Sequence, residues 1–282
     1  MKKIAILYHA NCSDGFGGAY VAWKKFGKKA AYFPVEYQVP PPEIKGAEIF
    51  TIDFCYSAEV LKELKSQNKS IIVLDHHISA LPEMKEANEY VFDNNHSGSV
   101  IAWKYFFGNK KVPEILNYIE DTDLWRFKLK NSKEIFAALS LVPFEFKAWD
   151  KVIKNFSKKD FKQKFITAGK TINLYQDYLI KRLTSRATFV MFEGKKILAL
   201  NSPILVSELG NKLALSHPPF SLVWSKVGDT INVSLRSLGD FDVSQIAKKY
   251  GGGGHKNAAG FSFIFQSHFP WVETKEKIKI YK

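Results

Sequence analysis

The chain carries Asp75-His76-His77 directly behind a continuous apolar run, Ile71 to Leu74. A buried strand that stops in one carboxylate and two imidazoles delivers three metal-binding side chains to a single sheet edge. Three other apolar segments end in a similar way. Ile4 to Tyr8 runs into His9 and, past a short polar loop, Asp14; Ile49 to Ile52 ends in Asp53; Ile115 to Ile119 leads into Glu120-Asp121-Thr122-Asp123. Taken singly, an Asp behind a strand is commonly a turn or cap, and a lone His is a satisfied surface or core group. Together, His9, Asp14, Asp53, His76 and Asp121 form a donor set of carboxylates and imidazoles that suits divalent manganese or magnesium, with zinc, cobalt or iron as alternatives. A carboxylate can bridge two ions, and two ions about 3.5–4 Å apart are the usual arrangement for phosphoester hydrolysis. Asp53 is the candidate bridge.

A second constellation lies near the C-terminus. Ser234-Leu235-Arg236-Ser237 reads as a strand and is followed by Gly251-Gly252-Gly253-Gly254-His255-Lys256-Asn257-Ala258-Ala259-Gly260. Such a glycine run lets the backbone approach a ligand and turn its amides toward phosphate oxygens. Arg236 adds a forked cation and His255 a directed donor. A flexible loop beside an ordinary charged strand residue is the plainer alternative. The run follows a helix and lacks the glycine-lysine-serine/threonine order of a P-loop. Gly15-Phe16-Gly17-Gly18-Ala19-Tyr20 starts like a dinucleotide fingerprint, but Tyr20 fills its last small-residue position.

These residues need elements to position them. Short apolar runs at Lys3 to Tyr8, Ala31 to Val35, Ile49 to Asp53, Ser70 to Asp75 and Tyr90 to Asp93 alternate with helical spacing at Gly17 to Lys25 and Ser57 to Gln67, where Ser57 is the expected N-cap. That alternation predicts an α/β fold, a doubly wound and mostly parallel sheet, with ligand sites outside the carboxyl ends of the strands. From Ser97 the pattern is helical: Ser97 to Phe107, a helix opened by Pro113 at N1, and Ile135 to Phe156 broken at Pro143. Lys159 to Arg186 is a long amphipathic stretch without proline, expected as a connecting helix. Beyond it, Thr188 to Phe192, Lys196 to Leu200, Ser221 to Val227, Ile231 to Arg236 and Phe261 to Phe265 read as strands, with a short helix over Val243 to Tyr250. The expected organisation is residues 1–158 as a metal-binding catalytic domain, 159–186 as connecting helix and 187–282 as a smaller α+β substrate-binding domain.

With 282 residues and 46% hydrophobic content the chain can bury a full core. No stretch approaches the roughly 20 apolar residues of a membrane span. A signal peptide is not expected, because Met1-Lys2-Lys3-Ile4 passes straight into a strand pattern. Cys12 and Cys55 cannot build a disulfide framework, which points to a reducing, cytoplasmic setting. A net charge of +13 implies attraction to polyanions, nucleic acid first. The lysines are scattered, however, so a solvated surface accounts for part of it. Trp23, Trp103, Trp125 and Trp224 are candidates for base stacking, with none singled out.

At this point the residues resemble the DHH phosphoesterase family over most of the chain. His9 to Asp14 resembles its first motif, Asp53 its second, Asp75-His76-His77 its third and Asp121 its fourth. Ser234, Arg236 and Gly251 to Gly260 resemble the DHH-associated C-terminal domain of the first type. The resemblance implies a manganese-dependent hydrolase with two ions: His9 and Asp53 on one, and Asp14, Asp53, His76 and Asp121 on the other. His77 would contact the scissile phosphate, and Asp75 would orient the neighbouring histidine. Ser234, Arg236, Gly252, Gly253, Gly254 and His255 would hold substrate. The first motif departs from the family pattern, because Cys12 stands where the first of two acids belongs; the thiolate is then an alternative ligand.

The expected activity is hydrolysis of short single-stranded oligonucleotides, or of linear or cyclic dinucleotides, to nucleoside monophosphates. The positive charge favours a substrate with several phosphates, and the length leaves little room for the extra modules of a processive exonuclease. A nucleotide phosphatase releasing inorganic phosphate and a non-catalytic nucleic-acid binder are the competing readings. No membrane partner is expected; a monomer and a homodimer are both compatible with the chain.

Overall fold

The computed structural model describes residues 2–37, 39–266 and 268–274. They fall into two compact units, Met1–Asn173 and Leu174–Lys282. In the first, β1 (Ile4–His9), α1 (Ser13–Phe26), β2 (Ala30–Val35), β3 (Glu48–Ile52), α2 (Ala58–Gln67), β4 (Ser70–Asp75), α3 (Leu81–Met84) and β5 (Glu89–Phe92) alternate. The helices α4 (Gly98–Phe107), α5 (Glu114–Asp123), α6 (Ser132–Leu139) and α7 (Phe146–Asn155) follow, and then α8 (Lys159–Thr184), a single helix of 26 residues whose length is divided between the two units.

The five strands pair in the order β2-β1-β3-β4-β5, all parallel. The strands are apolar on both faces because both are covered. Ile6, Phe50, Ile52, Ile72 and Leu74 pack against α1, α4 and α5, while Ala5, Leu7, Ile49, Ile71 and Val73 pack under Leu61 and Leu64 of α2 and Met84 of α3. Helices on both faces make the sheet doubly wound. The chain reverses direction across the sheet at β1, which has β2 on one side and β3 on the other. In folds of this kind a ligand crevice opens at such a switch point, beyond the carboxyl ends of the strands. Ser57 occupies the N-cap of α2 without capping it through its side chain; Glu83 Oε2 accepts from the Ala58 amide at 2.8 Å instead. Pro113 is the residue before α5 rather than its first.

The second unit holds β6 (Thr188–Phe192), β7 (Lys195–Asn201), α9 (Val206–Ser216), β8 (Phe220–Val227), β9 (Thr230–Ser237), α10 (Val243–Lys249), β10 (Gly253–His255), β11 (Ala258–Ile264) and β12 (Val272–Glu273). Seven strands form one mixed sheet, β10-β11-β9-β8-β7-β6-β12, with β7 and β8 its one parallel pair among the described residues. The glycine-rich stretch, expected as a loop, supplies the first strand of a tight hairpin: Gly253, Gly254 and His255 pair with Gly260, Ala259 and Ala258. The glycines serve that hairpin. Gly254 has φ +133°, and a Cβ there would lie 2.6 Å from the Ala258 carbonyl oxygen. Helix α9 has no clear sequence signature because Gly210 interrupts it; a Cβ at that position would lie 2.7 Å from Arg236 Cγ, so packing demands the weak helix former. No helix among the described residues is long and apolar enough to cross a membrane.

Candidate metal centre

The acids and histidines at the sheet edge are delivered by several separate elements. His9 is the last residue of β1, Asp14 lies in the first turn of α1, Asp53 follows β3, and Asp75 ends β4 ahead of His76 and His77. Asp53 stands in the left-handed region at φ +57°, a conformation aspartate tolerates better than most residues. Its side chain is almost completely buried, and its two oxygens face different partners. Oδ1 lies 3.1 Å from His76 Nε2; Oδ2 lies 3.5 Å from His9 Nδ1 and accepts from the Cys12 thiol at 3.5 Å.

Two trios of donor atoms result. His9, Cys12 and Asp53 form one, and Asp14, His76 and Asp123 form the other; within each, the donor atoms lie within 4.8 Å of one another. The Asp53–His76 contact joins them. Sequence reading placed Asp121 in this centre, and the geometry brings Asp123 instead, with Oδ2 at 3.6 Å from His76 Nε2. Asp121 has other work: its Oδ1 accepts from the Lys128 amide at 2.9 Å and its Oδ2 from the Leu129 amide at 3.1 Å. Burial would raise the Asp121 carboxyl, but the nearby Ser132 side chain and the hydrogen bonds from the Lys128 and Leu129 amides hold it below its ordinary value. The sequence contains no signal that separates the two acids. Both stand near the end of a helix two residues apart, and only the fold of the following loop assigns them.

Asp75 behaves as an orienting group. Its Oδ1 accepts from the His76 amide at 2.7 Å, from the His77 amide at 3.3 Å and from His77 Nδ1 at 2.7 Å. Burial pulls the His77 ring toward the neutral form, and the Asp75 charge and hydrogen bond outweigh it, so its pKa is raised. The helix expected over Ser97 to Phe107, α4, contributes to the centre in a way the sequence does not signal. A Cβ on Gly98 would lie 2.6 Å from Asp53 Cβ, and the Ser99 amide donates to Asp14 Oδ1 at 3.0 Å. A helix N-terminus thus seats itself on the two buried carboxylates, with its dipole favouring their charge.

The electrostatics fit a cation. Burial, then the neighbouring Asp53 charge, pushes Asp14 up to about 6. Asp123 is raised well above its ordinary value by burial and by Asp14. Burial would also raise Asp53, but hydrogen bonds from His76 and His9 and the charge of His77 hold it low. His76 is pushed up to about 10: burial opposes the charge, while the Asp53 hydrogen bond and the Asp123 and Asp53 charges prevail. Burial and then Asp53, Asp123 and Asp14 raise the Cys12 thiol strongly. Asp14 Oδ2 and Asp123 Oδ2 are buried and accept no hydrogen bond, although the Asp123 side chain as a whole is a quarter exposed. Buried carboxylate oxygens without partners are costly unless paired with positive charge. Oxygen and imidazole donors with one thiol, converging this way, are of the types that suit a divalent metal ion.

In the second unit Ser234 and Arg236 lie on β9, Gly253, Gly254 and His255 form β10 with Gly252 just before it, and β11 runs between the two strands. Ser234 pairs with Gly260 and Arg236 with Ala258. The half-buried Arg236 donates through Nη2 to Ser207 Oγ at 2.8 Å and through Nη1 to the Leu235 carbonyl at 2.9 Å. Gly252 abuts the Gly260 carbonyl, and Gly253, Gly254 and His255 form β10. The six expected substrate residues thus span the three strands β10, β11 and β9 at one end of the sheet order.

Comparison with known proteins bears on both units. Residues 178–269 match the model of the DHHA1 domain. A protein of Acanthamoeba polyphaga mimivirus, Uncharacterized protein R106, is 33% identical over 285 residues, covering 92% of this chain and 67% of its own. Oligoribonuclease NrnB of Bacillus subtilis (strain 168) is 26% identical over 296 residues, covering 91% and 72%. The crystal structure of RecJ in complex with Mn2+ from Thermus thermophilus shares the fold, with a TM-score of 0.51 at 15% identity over 93% of this chain and 50% of that one. The Asp-His-His strand end, the carboxylates gathered around it and the matched C-terminal domain place this chain in the DHH phosphoesterase family, whose members are phosphoester hydrolases.

Proposed function

We propose that the protein is a manganese-dependent phosphodiesterase that hydrolyses short single-stranded oligonucleotides, or linear or cyclic dinucleotides, to nucleoside monophosphates. The observation that carries this reading is the placement of Asp53, whose Oδ2 joins His9 and Cys12 in one trio while its Oδ1 lies 3.1 Å from His76 of the other. That is the arrangement expected of a carboxylate shared by two ions. His9, Cys12 and Asp53 would hold one, and Asp14, His76, Asp123 and Asp53 the other. Two bound divalent ions supply charge neutralisation for a phosphoryl transition state and a water of lowered pKa.

The chain's own residues do the rest. Asp75 fixes the His77 ring through Nδ1 at 2.7 Å, so this imidazole is pre-oriented to donate a hydrogen bond to a phosphate oxygen. The N-terminus of α4 holds both carboxylates in place, the Ser99 amide bonding Asp14 and Gly98 packing on Asp53. Ser234, Arg236, Gly252, Gly253, Gly254 and His255 would hold a neighbouring phosphate or a terminal nucleotide. An oligonucleotide substrate is favoured by the net charge of +13 and by the relationship to a protein named as an oligoribonuclease.

The test is incubation of the chain with 5′-phosphorylated diribonucleotides and manganese, followed by chromatography, with chelator and Asp53→Ala controls. Nucleoside monophosphates as products support the reading. Nucleosides with inorganic phosphate would make the enzyme a phosphatase, and tight binding without product in any metal would make it a non-catalytic binder.

A further inference from the structure

The segment that follows Asp123 is built at a conformational cost that packing does not explain. Trp125 has φ +54° and Phe127 φ +50°, and a bulky aromatic in the left-handed region is a genuine outlier. The strain is held by a convergence of amides on Asp121. Its carbonyl accepts from Arg126 N at 2.8 Å and Phe127 N at 3.1 Å, and its carboxylate takes the next two, Lys128 and Leu129. Arg126 ties the segment back: Nη2 donates to the Asn95 carbonyl at 2.6 Å and Nη1 to Glu120 at 3.4 Å. Asn95 lies three residues before Gly98, the residue packed on Asp53. The loop is therefore anchored at both ends to the elements that carry the metal centre.

What this rigid loop displays is an indole. Of the four candidate tryptophans, Trp23 stacks on Phe146 at 5.5 Å, Trp224 packs on Phe269 at 4.7 Å, and Trp103 bonds through Nε1 to the Lys110 carbonyl. Trp125 is 50% exposed. Its ring meets Phe127 edge-on at 4.9 Å, and Lys133 Nζ lies 5.1 Å from the Phe127 ring. Arg126, Lys128, Lys130 and Lys133 interleave with the two aromatics over residues 125–133. Aromatics alternating with cations are the composition of a single-strand nucleic-acid surface, where rings stack bases and cations track phosphates. An exposed, fixed aromatic two residues from a metal-centre carboxylate offers a plane to the nucleotide beside the scissile bond.

We infer that Trp125 is a stacking platform for a nucleobase of the substrate, held out by the Asp121 loop. The inference rests on the oligonucleotide reading above and adds a specificity determinant to it. The measurement uses the full chain and a 5′-phosphorylated diribonucleotide carrying 2-aminopurine, bound in calcium, together with manganese-driven hydrolysis of the normal and an abasic dinucleotide. Wild-type protein is expected to quench the 2-aminopurine fluorescence. Trp125→Ala should lose that quenching and raise KM about 10-fold or more on the base-bearing substrate, as loss of one stacked base implies, with kcat changed much less. On the abasic substrate the two proteins should match, and Trp125→Phe should recover KM to within about 3-fold. A urea melt checks that each variant folds. Equal quenching and KM in wild type and Trp125→Ala, or an equal loss on both substrates, overturns the stacking role while hydrolysis by wild type leaves the oligonucleotide reading intact. If wild type neither binds nor cleaves either dinucleotide, both fall together.

Discussion

Gly98→Ala adds one methyl group at the most crowded point of the centre. The new Cβ would stand 2.6 Å from Asp53 Cβ, 2.9 Å from Asp53 Cα and 3.0 Å from Asp14 Oδ2. Carbon atoms in contact rest about 3.5–4.0 Å apart, so Asp53 and α4 must separate by about 1 Å. The obstacle is backbone on one side and a helix N-terminus on the other, and neither swings away as a flexible side chain would. Overpacking of this kind costs about 1–3 kcal/mol, partly offset by up to about 1 kcal/mol from the better helix propensity of alanine. Stability should therefore fall by about 1–2 kcal/mol. Function should fall further, because displacing a catalytic group by about 1 Å can cost on the order of 100-fold in rate. Manganese binding followed by calorimetry should weaken in parallel, since Asp53 faces both donor trios. The decisive comparison sets manganese affinity and turnover beside a urea melt. A Gly98→Ala protein that binds manganese and turns over like wild type would refute the idea that α4 sets the position of Asp53.

Asp121→Ala and Asp123→Ala should behave as opposites: the first leaves the Lys128 and Leu129 amides without their acceptor and should cost about 1–3 kcal/mol in a denaturant melt, whereas the second should leave stability near wild type and weaken metal binding at least about 10-fold in a calorimetric titration. Reversed outcomes would return Asp121 to the centre. Asp150, which accepts from Tyr20 and Lys24 and pairs with Lys154, is depressed to about 2, where burial opposes and the Lys154, Lys24 and Tyr20 hydrogen bonds prevail. A carboxyl depressed in the folded state contributes stability that is complete above its unfolded pKa, near 4, and lost as the pH falls through about 2. With Lys154 65% exposed, solvent screening leaves about 1 kcal/mol of this, so the acid limb of the stability curve of Asp150→Asn should be flatter than that of wild type between pH 4 and 2. Adding manganese to chelator-treated protein at about 100 times its Kd should stabilise the first unit by about 3 kcal/mol, read as a rise in Tm; an unchanged Tm would argue that Asp14, Asp53 and Asp123 do not share a cation.

The parallel sheet was legible because each of its strands is a short apolar run that ends in a polar residue, and because helical spacing recurs between them. Both signals come from one physical fact: a strand covered on two faces has to be apolar along its length and can turn polar only where it leaves the sheet. His9, Asp53 and Asp75-His76-His77 stand at those exits, so periodicity alone could find them. Contributions that depend on how a loop closes were not legible. Gly98, Ser99 and the Asp121 amide cage act through backbone atoms, which carry no mark in the residue string.

The choice between Asp121 and Asp123 shows where that boundary lies. Both belong to Glu120-Asp121-Thr122-Asp123 at the end of α5, and helical phase puts neither at a disadvantage, since Tyr118 and Ile119, respectively three and four residues before them, are both buried. The difference arises after the helix stops. Four successive amides from Arg126 to Leu129 need acceptors once the chain turns left-handed at Trp125 and Phe127, and the Asp121 carbonyl and carboxylate are the groups within reach. Taking that role removes Asp121 from the donor set and leaves Asp123 to face His76. The glycines of β10 show the same logic in the second unit: a run suited to cradling phosphate is also what a hairpin with φ +133° at Gly254 requires, so the composition alone could not say which demand placed it there. In both cases a residue type announced that something unusual happens locally, and only the paths of neighbouring backbone segments decided what.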